Sequence, residues 1–161
     1  MDDLLIVREA TLEDASVIAE ISEIAQVPGD VLRSAAEIRA QIEGFSERER
    51  YFLLERDGFA VGWGLIKRYS PRGGYRFCAE TWVYVRPSEM RKGYGSRLKR
   101  TLIDQCRAFG YHHLIARIFS ANTACLSFYQ RFKYEIVGVQ EEIGFFENQW
   151  QDLTILQLVD Y

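Results

Sequence analysis

Glu80 is the residue whose type and setting most directly suggest acid–base chemistry. It lies within Tyr75–Val85, a stretch rich in aromatic and β-branched residues that predicts a buried strand. Burial disfavours the charged form of a carboxyl group, so a glutamate there would accept a proton more readily than one in water. Glu80 is therefore the candidate general base. The alternative is a structural carboxylate bonded to the neighbouring loop.

Tyr129 is the candidate proton donor. It follows Asn122 by two turns of a predicted helix, which places both on one face about 10 Å apart. A phenol with a pKa of about 10 carries a proton at neutral pH and can donate it to a reacting group. Tyr129 could instead be a packing aromatic beside Phe128, and Asn122 a simple helix cap.

A glycine-containing turn, Gly93-Tyr94-Gly95, joins the predicted strand to a helix. Free N–H groups and the dipole at a helix N-terminus attract anions, and glycine lets a phosphate approach the backbone. With Arg91, Lys92 and Arg97 nearby, this chemistry favours a diphosphate, although a plain helix start has the same pattern. A P-loop is excluded because no Gly-Lys-Ser/Thr follows. A dinucleotide fingerprint is excluded because its third glycine is replaced by Leu98.

Charge and composition narrow the function classes. The 161 residues carry a net charge of −3, which argues against a nucleic-acid-binding surface. Basic residues nevertheless cluster between Arg86 and Arg107, which suggests a small anionic ligand or, alternatively, a solvated helix face.

The cysteines and histidines do not suggest a metal site. Three cysteines without a CxxC pair favour neither a disulfide framework nor zinc. His112 and His113 alternate faces at a predicted strand start, which favours packing and surface roles over metal ligation. The acidic Met1-Asp2-Asp3 start is unlike a signal peptide, and no apolar stretch has membrane-spanning length. We therefore expect a cytoplasmic protein that does not bind membranes.

The elements that must position these residues follow from hydrophobic periodicity and turn signals. Antiparallel strands are expected early in the chain and strand–helix units later, which predicts one mixed sheet with helices on both faces. The predicted helices are a first one ending near Ala25, a weaker one over Val31–Gly44, and those starting after Gly95 and near Ala121. The predicted strands are Leu4–Arg8, Tyr51–Glu55, Phe59–Arg68, Tyr75–Val85, His112–Phe119, Tyr134–Val139 and Trp150–Val159.

Two segments resemble motifs of the GNAT acetyltransferase superfamily. Gly93 and Gly95 match the small positions of its motif A, Gln/Arg-x-x-Gly-x-Gly/Ala, whose first position is Met90 here. Asn122–Phe132 resembles motif B, which usually ends Leu-Gly-Phe. This chain has Phe132-Lys133-Tyr134 instead, so the glycine is lost.

Two further stretches resemble the phosphinothricin and methionine sulfoximine acetyltransferase branch. Ser70–Val85 is similar to its loop and strand, with the branch's glutamate at Glu80. Gly144–Asp152 is similar to its Gly-x-x-x-x-x-Trp-x-Asp ending.

The resemblance implies an α/β (α+β) GNAT fold over residues 1–161 as a single domain. That fold has a mixed, mostly antiparallel sheet of about seven strands and about four helices. It implies acetyl-CoA as cosubstrate, no metal, a small-molecule amine as acceptor, and a homodimer. Glu80 would be the base and Tyr129 the general acid. Acetyl-CoA would be bound by Val83, Tyr84, Val85, Arg91, Lys92, Gly93, Tyr94, Gly95, Ser96 and Asn122, and the acceptor by Arg72, Gly73, Tyr75 and Arg76.

The resemblance leaves alternatives open. Arg72 or Arg76 could clamp a substrate carboxylate, but Arg72 could equally be surface charge. A covalent route through Cys78 is disfavoured, because GNAT transfer is direct and no histidine is near it in sequence. The acceptor could also be a protein N-terminus or lysine, or the chain could bind acetyl-CoA without turnover.

Overall fold

The structure is a computed structural model that describes residues 3–159. Within that range the chain forms seven strands and four α-helices. In chain order they are β1 (Leu5–Glu9), α1 (Ala15–Ala25), α2 (Ala35–Glu43), β2 (Arg50–Arg56), β3 (Phe59–Arg68), β4 (Cys78–Val85), α3 (Tyr94–Ala108), β5 (His113–Phe119), α4 (Thr123–Arg131), β6 (Glu135–Phe146) and β7 (Gln149–Val159). No helix in this range is both long and apolar enough to cross a membrane.

The strands follow the order β1-β2-β3-β4-β5-β7-β6 in one sheet. The pairs β1–β2, β2–β3, β5–β7 and β6–β7 are antiparallel, whereas β4 and β5 are parallel. A parallel pair needs a long crossover connection, and the segment containing α3 supplies it. The predicted mixed, mostly antiparallel seven-stranded sheet with four helices is confirmed.

The chain forms two compact units, and β4 contributes to both. The first contains residues 3–67 and Thr81–Phe109, and the second contains Arg68–Glu80 and residues 110–159. The single domain over residues 1–161 stays a prediction. Its first two and last two residues lie outside the described range.

In the first unit, helices cover both faces of the strands. Neighbouring residues of a strand point to opposite faces. Leu53 of β2 packs with Ile18 and Ile21 of α1, whereas Leu54 packs with Leu98 of α3. The first helix and α3 therefore lie on opposite sides of β2, as the sequence predicted.

Two glycines of β3, Gly62 and Gly64, allow α3 and β4 to lie close to the backbone of β3. A Cβ atom at Gly64 would be 3.0 Å from Cδ1 of Leu102. A Cβ atom at Gly62 would be 2.7 Å from the carbonyl oxygen of Tyr84 and 3.2 Å from Cδ1 of Leu98. A larger side chain at Gly62 would press on the backbone of Tyr84 and displace the strand that leads into the turn before α3.

Three element boundaries differ from the sequence prediction by three residues or more. β4 begins at Cys78 rather than Tyr75, because Gly73–Tyr75 forms a 3₁₀ turn. α2 begins at Ala35 rather than Val31, because Ser34 and Glu37 form a capping box that starts the helix there. β6 continues to Phe146 rather than ending near Val139. It crosses a register shift between Gln140 and Gly144, and such an irregularity interrupts the alternation from which strands are predicted.

In the second unit, one face of β5 is buried and the other is accessible. Leu114, Ala116 and Ile118 are buried, whereas His113, Ile115 and Arg117 alternate with them and are accessible. The first three residues of β4 pair with His113–Ile115. The accessible side of β5 therefore lies beside the side chains of Cys78 and Glu80, and most of the candidate chemistry in this unit lies there.

Candidate active site

The turn after β4 ends in a helix N-terminus whose first amide groups have no partner within the helix. Pro87–Glu89 forms a 3₁₀ turn, and Gly93, at φ 81°, caps the start of α3. Glycine has no side chain with which to bond the first amides of the helix. The amides of Tyr94, Gly95 and Ser96 also lack the preceding helical turn that would supply their carbonyl partners. This end of α3 therefore offers convergent N–H groups and a positive dipole end to an anion.

Glu89 organises the charges of this turn. Its carboxylate accepts hydrogen bonds from Arg56 on β2 and from Lys92, whose Nζ lies 2.8 Å away. Arg56 also donates to the hydroxyl of Tyr94, the first residue of α3, at 3.2 Å. The hydrogen bonds from Arg56, and then from Lys92, lower the pKa of Glu89 to about 2. This ion-pair network ties the turn to both β2 and α3.

The basic residues between Arg86 and Arg107 divide into two groups. Four of them contact protein groups: Arg86 bonds Glu20, Lys92 bonds Glu89, Arg107 bonds Asp104, and the fully buried Lys99 donates to Thr81. Arg91, Arg97 and Arg100 are exposed. The charge available to an anion at the start of α3 is therefore mainly that of Arg91 and Arg97.

Arg91 adopts a backbone conformation that usually belongs to glycine. Its φ is 64°, in the left-handed region, where a side chain costs about 1–2 kcal/mol. Such strain persists only where the surroundings impose it, and it is common at ligand-binding sites. The turn is therefore held in place by its neighbours, including the Glu89 network, rather than by local preference.

The strand segment before the turn is fixed by packing. The ring of Tyr84 stacks on Trp63 with centroids 4.5 Å apart. Val83 and Val85 pack against the cluster that contains Leu98. The role of this segment in binding acetyl-CoA stays a prediction.

Glu80 is buried and paired with Arg117 of β5. Its side chain is 6% exposed, and Nε and Nη2 of Arg117 reach its two carboxylate oxygens at 3.0 and 2.6 Å. This two-point contact fixes the orientation of the carboxylate. The hydrogen bonds that Arg117 donates to Glu80 raise the pKa of Arg117 above its ordinary value. The burial of Glu80 does not by itself identify its partner Arg117, which lies 37 positions away in the chain.

Cys78 lies next to a histidine that is far from it in the sequence. Its Sγ is 3.4 Å from Nδ1 of His113, and Nε2 of His113 is 3.2 Å from Oε1 of Gln157. The expectation that Cys78 lacks a nearby histidine therefore holds in sequence but not in space. Burial, and then the charge of Glu80, raise the pKa of the Cys78 thiol to about 11. The thiol is therefore protonated at neutral pH, which makes it a poor nucleophile.

Asn122 and Tyr129 lie on α4 as the sequence predicted. Asn122 is the N-cap, and its side chain accepts a hydrogen bond from the amide of Cys125 at 3.2 Å. Tyr129 is buried and packs edge-on against Tyr134, with ring centroids 4.9 Å apart. The helix-cap and packing roles are thus present. The roles in cofactor binding and proton donation stay predictions.

Lys133 occupies the position at which motif B usually has glycine. It adopts a φ of 69°, the left-handed conformation that glycine would take without strain. The turn after α4 therefore keeps a glycine-type backbone with a lysine side chain. The loss of the glycine strains the turn locally rather than abolishing it.

The loop before β4 contains the predicted acceptor-binding residues. Nη1 of Arg76 donates to the carbonyl of Gly73 at 2.9 Å, and its guanidinium lies 4.6 Å above the ring of Phe77. Tyr75 is exposed and packs edge-on against Tyr69. Arg72 is exposed and precedes a short 3₁₀ turn over Gly73–Tyr75. Arg76 is thus engaged within the loop, whereas the side chain of Arg72 projects from the surface.

The described part of the chain contains no cluster of three histidine, cysteine or acidic side chains that could hold a metal ion. The arrangement instead combines an anion-binding helix N-terminus with a buried carboxylate on the strand that leads to it. Glu80 precedes Val83 by three positions along β4. Glu80 belongs to the second unit, and the anion-binding turn belongs to the first.

Comparisons with known proteins agree with this arrangement. Residues 18–134 match the model of the acetyltransferase (GNAT) family. The chain is 35% identical over 108 residues to phosphinothricin N-acetyltransferase of Alcaligenes faecalis, covering 66% of this chain and 55% of that protein. It is 36% identical over 114 residues to the L-methionine sulfoximine/L-methionine sulfone acetyltransferase of Pseudomonas aeruginosa, covering 69% and 66%. These alignments span between about half and two thirds of the relatives' lengths.

A longer alignment and a solved structure cover nearly the whole chain. L-amino acid N-acyltransferase MnaT of Escherichia coli is 30% identical over 163 residues, covering 94% of this chain and 92% of that protein. The structure of yncA, described as a putative acetyltransferase from Salmonella typhimurium with its cofactor acetyl-CoA, superposes with a TM-score of 0.88 at 26% identity. That superposition covers 96% and 93% of the two chains. Together with the helix N-terminus and the family match, these similarities show that the chain belongs to the GNAT family of acetyltransferases.

Proposed function

We propose that this protein transfers an acetyl group from acetyl-CoA directly to the primary amine of an amino acid or a close analogue. The observation that carries the proposal is the N-terminus of α3, which is capped by Gly93 and follows the strand that bears Glu80. Acetyl-CoA, when bound, supplies an activated thioester. The amides of Tyr94, Gly95 and Ser96 would bind its diphosphate, with Arg91 and Lys92 beside them.

Glu80 is the proposed proton acceptor. An α-amine has a pKa of about 8, so a modest acceptor is sufficient to supply the neutral amine at neutral pH. The contact with Arg117 supports this role because it holds the carboxylate in one orientation. The carboxylate could take the proton directly or through a water molecule.

Direct transfer is favoured over a route through Cys78. A covalent route needs a thiolate, but the pKa of about 11 keeps the Cys78 thiol protonated. Tyr129 is the proposed donor of the proton that the departing thiolate takes up. Asn122 is the proposed hydrogen-bonding partner of the pantetheine arm, in addition to its role as helix cap.

The acceptor class is drawn from the relatives. Proteins named for phosphinothricin, methionine sulfoximine and L-amino acids share 30–36% of their aligned residues with this chain. The proposed acceptor loop comprises Arg72, Gly73, Tyr75 and Arg76. Its exposed aromatic and basic side chains suit a zwitterion with a partly apolar side chain.

A homodimer through β6 is part of the proposal. β6 lies at the edge of the sheet and is 12 residues long. Its apolar side chains, and that of Trp150 on β7, are more than half exposed: Ile136, Val137, Val139, Ile143, Phe145 and Trp150. A long, apolar edge strand is a surface that another chain covers in most proteins. A cytoplasmic location remains a prediction, consistent with three free cysteines.

Thiol release tests the activity. Wild-type protein with acetyl-CoA should release thiol when given L-methionine sulfone, phosphinothricin or a simple L-amino acid. Glu80→Gln should lower the rate about 100-fold or more without weakening acetyl-CoA binding, as expected for loss of a general base. Wild-type rates in this variant would remove Glu80 from the reaction. Acetylation of peptide N-termini or lysines alone would place the acceptor among proteins, and acetyl-CoA binding without turnover across a broad amine panel would indicate a binding module.

A further inference from the structure

Arg117 has an unused hydrogen-bonding edge. Nε and Nη2 form the side edge of the guanidinium, and both donate to Glu80. A guanidinium carries five N–H donors in a rigid plane. The outer edge, formed by Nη1 and the second N–H of Nη2, points away from Glu80 and can bind another carboxylate at two points.

The burial of the two partners shows that this outer edge is accessible. The Glu80 side chain is 6% exposed, whereas that of Arg117 is 48% exposed. Arg117 therefore covers the carboxylate and presents its own free edge outward. Tyr69 interacts electrostatically with Arg117, and its exposed ring packs edge-on against Tyr75. The accessible edge is thus bordered by aromatic surface.

We propose that the outer edge of Arg117 binds the carboxylate of an α-amino acid acceptor, so that Arg117 determines specificity for this substrate class. The inference rests on the proposed function. In an α-amino acid one carbon separates the amine from the carboxylate. Arg117 also binds Glu80. A substrate carboxylate bound to Arg117 therefore keeps the neighbouring amine close to Glu80.

The arginines of the acceptor loop are less suited to this role. Arg76 donates to the carbonyl of Gly73 and lies over the ring of Phe77, so it would have to leave those contacts. Arg72 is exposed, and its position is not tied to Glu80. Arg117 is the arginine that contacts the proposed base directly within the described residues.

A substrate comparison tests the inference. Rates are measured with L-methionine sulfone and with its carboxamide, which keeps the amine and side chain but lacks the carboxylate. We expect wild-type kcat/KM to favour the acid about 10- to 100-fold, as for a charged hydrogen-bonded pair. Arg117→Gln should bring this ratio close to one. Arg117→Lys keeps a positive charge beside Glu80 but cannot bind a carboxylate at two points. It should therefore retain the fold and lose most of the preference for the acid over the carboxamide.

The ratio is insensitive to partial misfolding, because both substrates are compared on one preparation. Arg107→Gln, on an exposed ion pair of α3, is the matched control and should keep the wild-type ratio. Equal losses for both substrates in Arg117→Gln would overturn the inference, since Arg117 would then act only on Glu80 or on the fold. Loss of the preference in Arg76→Gln with an unchanged ratio in Arg117→Gln would also overturn it.

A binding measurement separates this inference from the proposed function. Calorimetric titration of L-methionine sulfone into the protein with CoA should show binding that weakens about 10-fold or more in Arg117→Gln. If wild-type protein releases no thiol with either compound, the proposed function fails. The titration then decides: Arg117-dependent binding supports the carboxylate site, and binding that is absent or equal in the two proteins overturns it.

Discussion

Gly62→Ala is the substitution whose effect follows most directly from the structure. The added Cβ would lie 2.7 Å from the carbonyl oxygen of Tyr84, 3.2 Å from Leu98 and 3.3 Å from Val85. A backbone carbonyl in a sheet cannot rotate away as a side chain can, so β3 or β4 must shift. Overpacking of this kind costs about 1–3 kcal/mol, and the lower entropy of alanine in the unfolded chain offsets roughly 0.5 kcal/mol.

We therefore expect Gly62→Ala to lower the free energy of unfolding by about 2 kcal/mol and Tm by about 4–8 °C. Urea unfolding and calorimetry measure both. Since Tyr84 and Leu98 lie on either side of the turn, the affinity for acetyl-CoA should fall as well. Gly64→Ala is the matched control, because its Cβ meets only the movable side chain of Leu102. Equal stability and equal acetyl-CoA affinity in the two variants would refute the claim that Gly62 holds this region in place.

Four further substitutions test other parts of the site. Because Arg56 and Lys92 lower the pKa of Glu89 to about 2, the stability it contributes is fully present above pH 4.5 and is lost as the pH falls toward 2. The Tm difference between wild type and Glu89→Gln should therefore shrink across that range, and a constant difference would contradict the ion-pair account. Tyr129→Phe should lower kcat about 100-fold with an unchanged KM for acetyl-CoA; equal kcat would leave Tyr129 a packing residue. Cys78→Ser should keep activity, and alkylation of Cys78 should accelerate as the pH rises toward 11; an acetyl group trapped on Cys78 would contradict direct transfer. Lys133→Gly should raise the free energy of unfolding by up to about 1 kcal/mol by relieving the left-handed backbone, and a clear loss would contradict that strain.

The parts of the site that depend on local sequence were predictable. The bounds of β3, Phe59–Arg68, agree with the sequence prediction because the Asp57-Gly58 turn signal precedes its start and the loop sequence Ser70–Gly74 follows its end. Gly93 marks the start of α3 for an equally local reason, since its left-handed backbone favours glycine. Asn122 was recognisable as a helix cap from its residue type and position.

The parts that depend on strand register were not predictable from a single sequence. Arg117 reaches Glu80, and His113 reaches Cys78, only because β4 and β5 pair with Glu80 opposite Ile115 and Cys78 opposite His113. Nothing in the spacing of these residues specifies that register. Glu89 was likewise overlooked, because its partner Arg56 lies on a strand 33 positions earlier. A pattern of local residue types cannot identify such partners.

The central claim is that the amide groups at the start of α3 bind the diphosphate of acetyl-CoA. A crystal structure of the complex tests it most directly. The account predicts diphosphate oxygens within hydrogen-bonding distance of the backbone nitrogens of Tyr94, Gly95 and Ser96, with the pantetheine arm running beside Val83–Val85. A diphosphate bound elsewhere, with these amides bonded only to solvent, would contradict it.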